Sequence, residues 1–341
     1  MIWLTWRQFR TQAAAVFGLV AAAAVVLAVT GPRLFDLARI DANIYDRLTR
    51  TDRDLFFAGI MLLAVAPGII GAFWGAPMVA RELEAGTHLL VWNQSVTRTR
   101  WLATKLGVTA LGAAAGVVLL SLAVTWWSSP IDGALSSTHG GLPARLTPVT
   151  FAMRGVAPAG YAVFAVVLGA AVGLVLRRTL PAMAVTLAIC TFVAIAMPLW
   201  VRPHLIAPQH KTITLTRASL DSIRADGTGR PVKITANTGG RGDWVLANET
   251  VDATGKVAAL PSWMTTCFPP PPLPTAKQAP TKAPAIEACF ARLTDEGYRQ
   301  HLVFEPASRF WALQWAETAL FLALSGLLAG FCFWWTRRRL T

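Results

Sequence analysis

The sequence predicts an all-α polytopic membrane protein of six transmembrane helices, with a β-containing extracytoplasmic insert between the fifth and the sixth. Three observations carry that reading. Hydrophobic residues make up 54% of the 341 and charged residues only 14%, with a mean hydropathy of +0.48, outside the range of soluble domains. Charge-free runs such as Leu55 to Val79 and Leu106 to Trp127 are each long enough to cross a hydrocarbon core of about 30 Å. One stretch alone, residues 202–308, is both long and polar.

Taken in order, residues 1–12 predict an amphipathic interfacial helix, with Ile2, Trp3, Trp6 and Phe9 on one face and Arg7, Gln8, Thr11 and Gln12 on the other. Ala13 to Thr30 is the first span: the run exceeds a usual signal-peptide core and ends in Thr-Gly-Pro-Arg rather than a small-x-small cleavage site. Arg33 to Asp54 holds five Arg and five Asp and is expected to form short helices at the headgroups. The second span, Leu55 to Ala80, carries Pro67, Pro77 and four glycines that permit bending and close helix approach. The third, Leu106 to Trp127, presents Gly107, Gly112 and Gly116 as a small-residue face and ends on Trp126 and Trp127, a membrane-boundary pair.

Ser128 to Thr150 is a polar loop, followed by the fourth span, Gly155 to Leu176. The fifth, Leu180 to Val201, starts after only Arg177-Arg178-Thr179. These two helices must therefore form a hairpin, and the paired arginines place its turn in the cytoplasm. The insert has strand-like runs at Lys211 to Thr216, Val232 to Ala236 and Trp244 to Ala247, a polyproline-like segment from Pro269 to Pro274, and a helix from Ala285 to Leu293. Residues 309–341 supply the sixth span, Phe310 to Thr336, and a basic tail, Arg337 to Arg339. With both termini inside, eleven Lys and Arg fall on cytoplasmic segments against seven on the two short outer loops and the start of the fourth span. The bias places residues 13–201 as five spans with a cytoplasmic segment at 78–105, and the insert outside.

The net charge of +13 is scattered and has no aromatic-interleaved stripe, which points to membrane lipid and away from nucleic acid. Segment 78–105 is a polar island between two apolar runs. It reads as a helix closed by Gly86 and Thr87, a break, and a second helix capped near Ser95 or Thr97. Arg81-Glu82-Leu83-Glu84-x-Gly86-Thr87, followed by Trp92-x-Gln94-Ser95-x-Thr97-Arg98-x-Arg100-Trp101, resembles the type-2 permease family, the permease subunits of exporter-type ATP-binding-cassette transporters. The resemblance implies that Arg81, Glu82, Glu84, Gly86, Thr87 and Trp92 couple the permease to a separate ATPase subunit. It also implies that the permease works as a homodimer or as a pair of permease subunits.

The chain holds no G-x-x-x-x-G-K-[ST] phosphate loop and no H-E-x-x-H or paired-cysteine metal spacing. It is therefore expected to be no enzyme itself, to carry no cofactor and no metal, and to draw ATP hydrolysis from the partner. Glu317 is the notable ionisable residue inside a span. It could line a substrate path, or pair with Arg154 at the end of the fourth span or with Arg309 nearer the surface; the Arg154 pair is preferred because a lone intramembrane charge is costly. Cys190 and Cys332 lie in apolar runs as packing residues. Cys267 and Cys289 lie in the insert, where an oxidising compartment would join them in a disulfide. The function expected is the permease of an ATP-driven exporter in the cell membrane, its alternative a membrane-anchored sensor or immunity protein whose insert binds a ligand.

Overall fold

A computed structural model describes residues 2–40, 44–87, 97–134, 142–226, 231–240, 242–267 and 286–339, with backbone alone at 2–6, 8, 45, 46 and 134. The chain divides into a helical unit, residues 1–136, 140–206 and 310–341, and a smaller unit, residues 137–139 and 207–309. Trp92 and the polyproline segment lie outside the described residues, and the side chains of Ile2, Trp3 and Trp6 do too.

Among the described residues, six helices of the first unit are long and apolar enough to cross a membrane. The first helix, α1, runs unbroken from Ile2 to Ile40 with Pro32 inside it. The expected break after Thr30 does not occur. Leu34 beyond the proline is fully buried in the same core as Leu27, Leu37 packs against that core, and Trp127 Nε1 donates to Thr30 Oγ1 at 2.9 Å. The apolar stripe thus continues through the proline, and packing outweighs its local cost.

The second rod is α2, Arg50–Ile70, then a π-helical turn, Gly71–Gly75, then α3, Ala76–Glu84. It starts with a capping box between Thr49 and Asp52, and Asp52 also takes a bond from Arg33 at 3.4 Å. α4 spans Arg98–Ala134. α5, Ala157–Leu176, is the central helix: 72% of its apolar window is buried, against at most 39% in the other spans. It ends on Arg177 in the left-handed region at φ 53°, whose N–H donates to Gly173 O. α6, Thr179–Ala196, runs on through a π turn and a 3-10 turn to His204. Arg202, expected to open the insert, is therefore the last turn of the fifth span. The sixth span is a single helix, Phe310–Arg338. Outward-facing Val29, Leu111, Leu180 and Leu327 are more than 70% exposed, as helix faces against lipid require.

In the second unit, β1 (Gln209–Ile213), β4 (Trp244–Val251) and β5 (Arg299–Glu305) form an antiparallel sheet in the order β1-β5-β4. β2 (Leu220–Ala225) and β3 (Pro231–Ala236) form a hairpin. β2 and β5 were not expected. A helix, α7, at Ile286–Asp295 covers a core of Ile234, Met264, Phe290, Leu293, Leu302 and Phe304. Cys267 and Cys289 are joined, with Cα atoms 6.2 Å apart. Buried amides stitch the sheets together: Asn248 exchanges two hydrogen bonds with the Ala236 backbone, and Gln300 Nε2 donates to Ile234 O and Asn248 Oδ1. The Asn248 side chain is thus consumed by the core.

Candidate functional site

The end of the second span is built from a close backbone contact outward. Gly71 and Gly75 lie against α5 so tightly that a Cβ would stand 2.6 Å from Ala165 O and 2.5 Å from Val166 O, and one at Gly169 would stand 2.4 Å from Gly71 O. Only glycine permits that approach. α2, the π turn and α3 are therefore seated on the central helix by backbone rather than by long side chains.

From this seat α3 projects the predicted coupling residues, and the structure divides them. Glu82 is half-buried and ion-paired with Lys105 of α4. Lys105 Nζ also donates to Met78 O at 3.4 Å and stands 5.1 Å over the Trp101 ring. Glu84 accepts from the Thr179 backbone N–H at 2.9 Å and from its hydroxyl at 2.6 Å, at the first residue of α6. Arg81, Glu84, Ala85 and Thr87 are exposed. Gly86 turns the chain with φ 68°, in the region a side chain rarely adopts. Thr97 then caps α4, its Oγ1 accepting from Arg100 N at 3.3 Å. Neither Glu82 nor Glu84 stands free in water: each fastens the end of the second span to a different helix.

Near the start of α5 lies a buried polar layer. The pair expected between Arg154 and Glu317 is not formed. Glu317 instead accepts from Arg202 Nε at 2.8 Å, Arg202 Nη2 at 3.1 Å and Tyr161 Oη at 2.6 Å. Arg202 Nη1 donates to Pro148 O at 3.1 Å, and its guanidinium lies 4.3 Å over Phe151. The fifth span reaches further than its apolar run, which brings Arg202 to the depth of Glu317. Arg154 pairs with Asp132 and stands 5.1 Å over Phe56. Arg309, the other partner considered, bonds Glu305 at 3.2 Å.

Gln314 was missed by sequence reasoning. Its Oε1 accepts from Val156 N and Ala157 N at 3.0 and 2.7 Å, and its Nε2 donates to Phe151 O at 2.9 Å. The sixth span thereby caps the exposed N–H groups at the start of α5. The only signal was a glutamine one turn before Glu317 in an apolar run. Among the described residues no group of three or more His, Cys, Asp or Glu could hold a metal ion. The layer neutralises its own charges; what it can do is lock helices together or let them part.

A family model described as "ABC-2 membrane transporter related" matches residues 17–202, more than half of the chain. No curated protein and no solved structure matches.

Proposed function

The chain belongs to the ABC-2 membrane transporter related family, and from that membership we propose that it is the permease subunit of an ATP-driven exporter. In this reading a separate ATP-binding-cassette subunit hydrolyses the nucleotide, two permease subunits work together, and the segment after the second span takes the force. Both termini and residues 78–105 face the cytoplasm, and the β-containing unit faces outward. The alternative of a ligand sensor anchored by its spans is not favoured by a family match that covers five of the spans.

One observation carries the coupling role. Glu82 ties the tip of α3 to α4 and Glu84 ties it to α6, while the glycines seat the same rod on α5. A push on the exposed tip is therefore delivered to three neighbouring helices, since packed elements move as rigid bodies rather than deforming. Arg81 is exposed and is the side chain through which docking is tested without touching these ties. Arg81→Glu should leave the melting temperature within about 2 °C, as surface changes do, yet cut recovery of the ATPase in a pull-down, because like or missing charges at an interface cost binding. Equal recovery and equal ATP-driven transport by the wild type and the variant would remove the coupling role.

A further inference from the structure

Where the third span begins and the sixth ends, the helical unit holds an open cavity of about 460 Å³ lined by Thr99, Gly330, Phe333, Trp334, Arg337 and Arg338. It carries two cations and no acid. Arg337 donates its Nε–H to Thr99 Oγ1 at 3.3 Å. Neither arginine has an ion-pair partner among the described residues, and both are exposed. Thr99 belongs to the first turn of α4, whose N–H groups add positive potential at the same mouth. The other wall is apolar: Trp334 is 44% exposed, and a Cβ at Gly330 would meet nothing within 4 Å.

The two walls select one ligand chemistry. Both helices are membrane-crossing candidates, one starting at Arg98 and the other ending at Arg338, so the cavity lies at the boundary between hydrocarbon and water. An arginine pair there attracts phosphate, while Trp334 and Phe333 sit where interfacial aromatics meet the glycerol and upper acyl chains. A soluble phosphate would use the first wall and leave the second bare. We propose that this cavity binds the headgroup of an anionic phospholipid and that the bound lipid bridges the start of the third span to the end of the sixth. The inference depends on these helices crossing a membrane and not on export, so it stands or falls separately from the proposed function.

The test is native mass spectrometry of the full-length protein released from detergent in the presence of phosphatidylglycerol, phosphatidylcholine of the same chains, or glycerol phosphate alone. Phosphatidylglycerol should stay bound, phosphatidylcholine should not, and glycerol phosphate should not displace the lipid. Arg337→Gln with Arg338→Gln should weaken retention about twenty-five-fold, each arginine contributing a factor of about five. Gly330→Leu should cause a comparable loss by filling the cavity with every charge, and hence the topology signal, intact. Arg39→Gln with Arg50→Gln, exposed arginines at the other end of the spans, should change nothing. Wild-type retention by Gly330→Leu, an equal loss in the Arg39 and Arg50 control, or displacement by glycerol phosphate would each overturn the lipid site.

Discussion

Near the start of α5 two arginine–carboxylate pairs are buried, and they are finished differently. In the Arg202–Glu317 pair both side chains are fully buried, and the carboxylate receives three hydrogen bonds while the remaining guanidinium arm reaches Pro148 O. In the Arg154–Asp132 pair the arginine is 1% exposed, yet Arg154 Nε, Arg154 Nη2 and Asp132 Oδ1 have no hydrogen-bond partner among the described residues. Desolvating a charge is offset only when its lone pairs and protons are all met. The first pair is therefore a lock, holding the fifth and sixth spans and α5 in one arrangement. The second leaves more of its desolvation uncompensated by protein groups.

The largest effect should come from opening the lock. Glu317→Ala leaves the Arg202 guanidinium buried without a counter-charge, which costs about 3–5 kcal/mol. Thermal unfolding in detergent should show a large fall in melting temperature, and a fall no greater than that of an exposed substitution would deny the lock. The double replacement Arg202→Met with Glu317→Leu should recover part of the loss but not all. Tyr161 Oη and Pro148 O would still lose their partners, at about 1–3 kcal/mol for each unmet group. Full recovery would mean that the network beyond the two charges contributes nothing.

How much of this was visible in the sequence depends on the range of the signal. The six spans were legible because each is a long and predominantly apolar run, and hydropathy needs no partner. That Glu317 pairs with a cation was the preferred reading; which cation was not legible. The sudden polarity at Arg202 read as the start of the insert, whereas the helix continues past it through a π turn that no local pattern announces. Glu82 and Lys105 are 23 residues apart across a break, so their pairing follows from tertiary packing alone. In the second unit β4 showed itself by apolar residues, but β5 did not. Its buried face is Gln300, Leu302 and Phe304, and the glutamine disguises the alternation because its burial is made possible by Asn248 and Thr250 on β4.

An intermediate effect should come from Tyr161→Phe. It removes a 2.6 Å donor from a charged acceptor but leaves both Arg202 bonds in place. Hydrogen bonds to charged groups contribute about 1.5–3 kcal/mol, so this loss should fall between that of Glu317→Ala and zero. Additivity with Arg202→Met would place the tyrosine outside the network; a coupling of about 0.5 kcal/mol or more in the double-mutant cycle would place it inside.

The smallest effect on stability, and the one that most sharpens the contrast, should come from Asp132→Leu with Arg154→Met. Both charges leave together, and three unmet polar atoms leave with them. What is lost is one salt bridge and the cation–π contact with Phe56, the latter about 1 kcal/mol. Replacing a buried ion pair by apolar side chains of similar volume is often neutral or stabilising. The melting temperature should therefore hold or rise, where the matching change at Arg202 and Glu317 lowers it. If the unmet atoms are kept because the pair opens during the transport cycle, the more stable variant should hydrolyse ATP and transport more slowly in the reconstituted complex, since stability would then have been gained at the expense of motion. A variant that loses more than about 2 kcal/mol would show that the second pair is as complete as the first, its missing partners being ordered waters. Unchanged stability with unchanged transport would make it an inert remnant of packing.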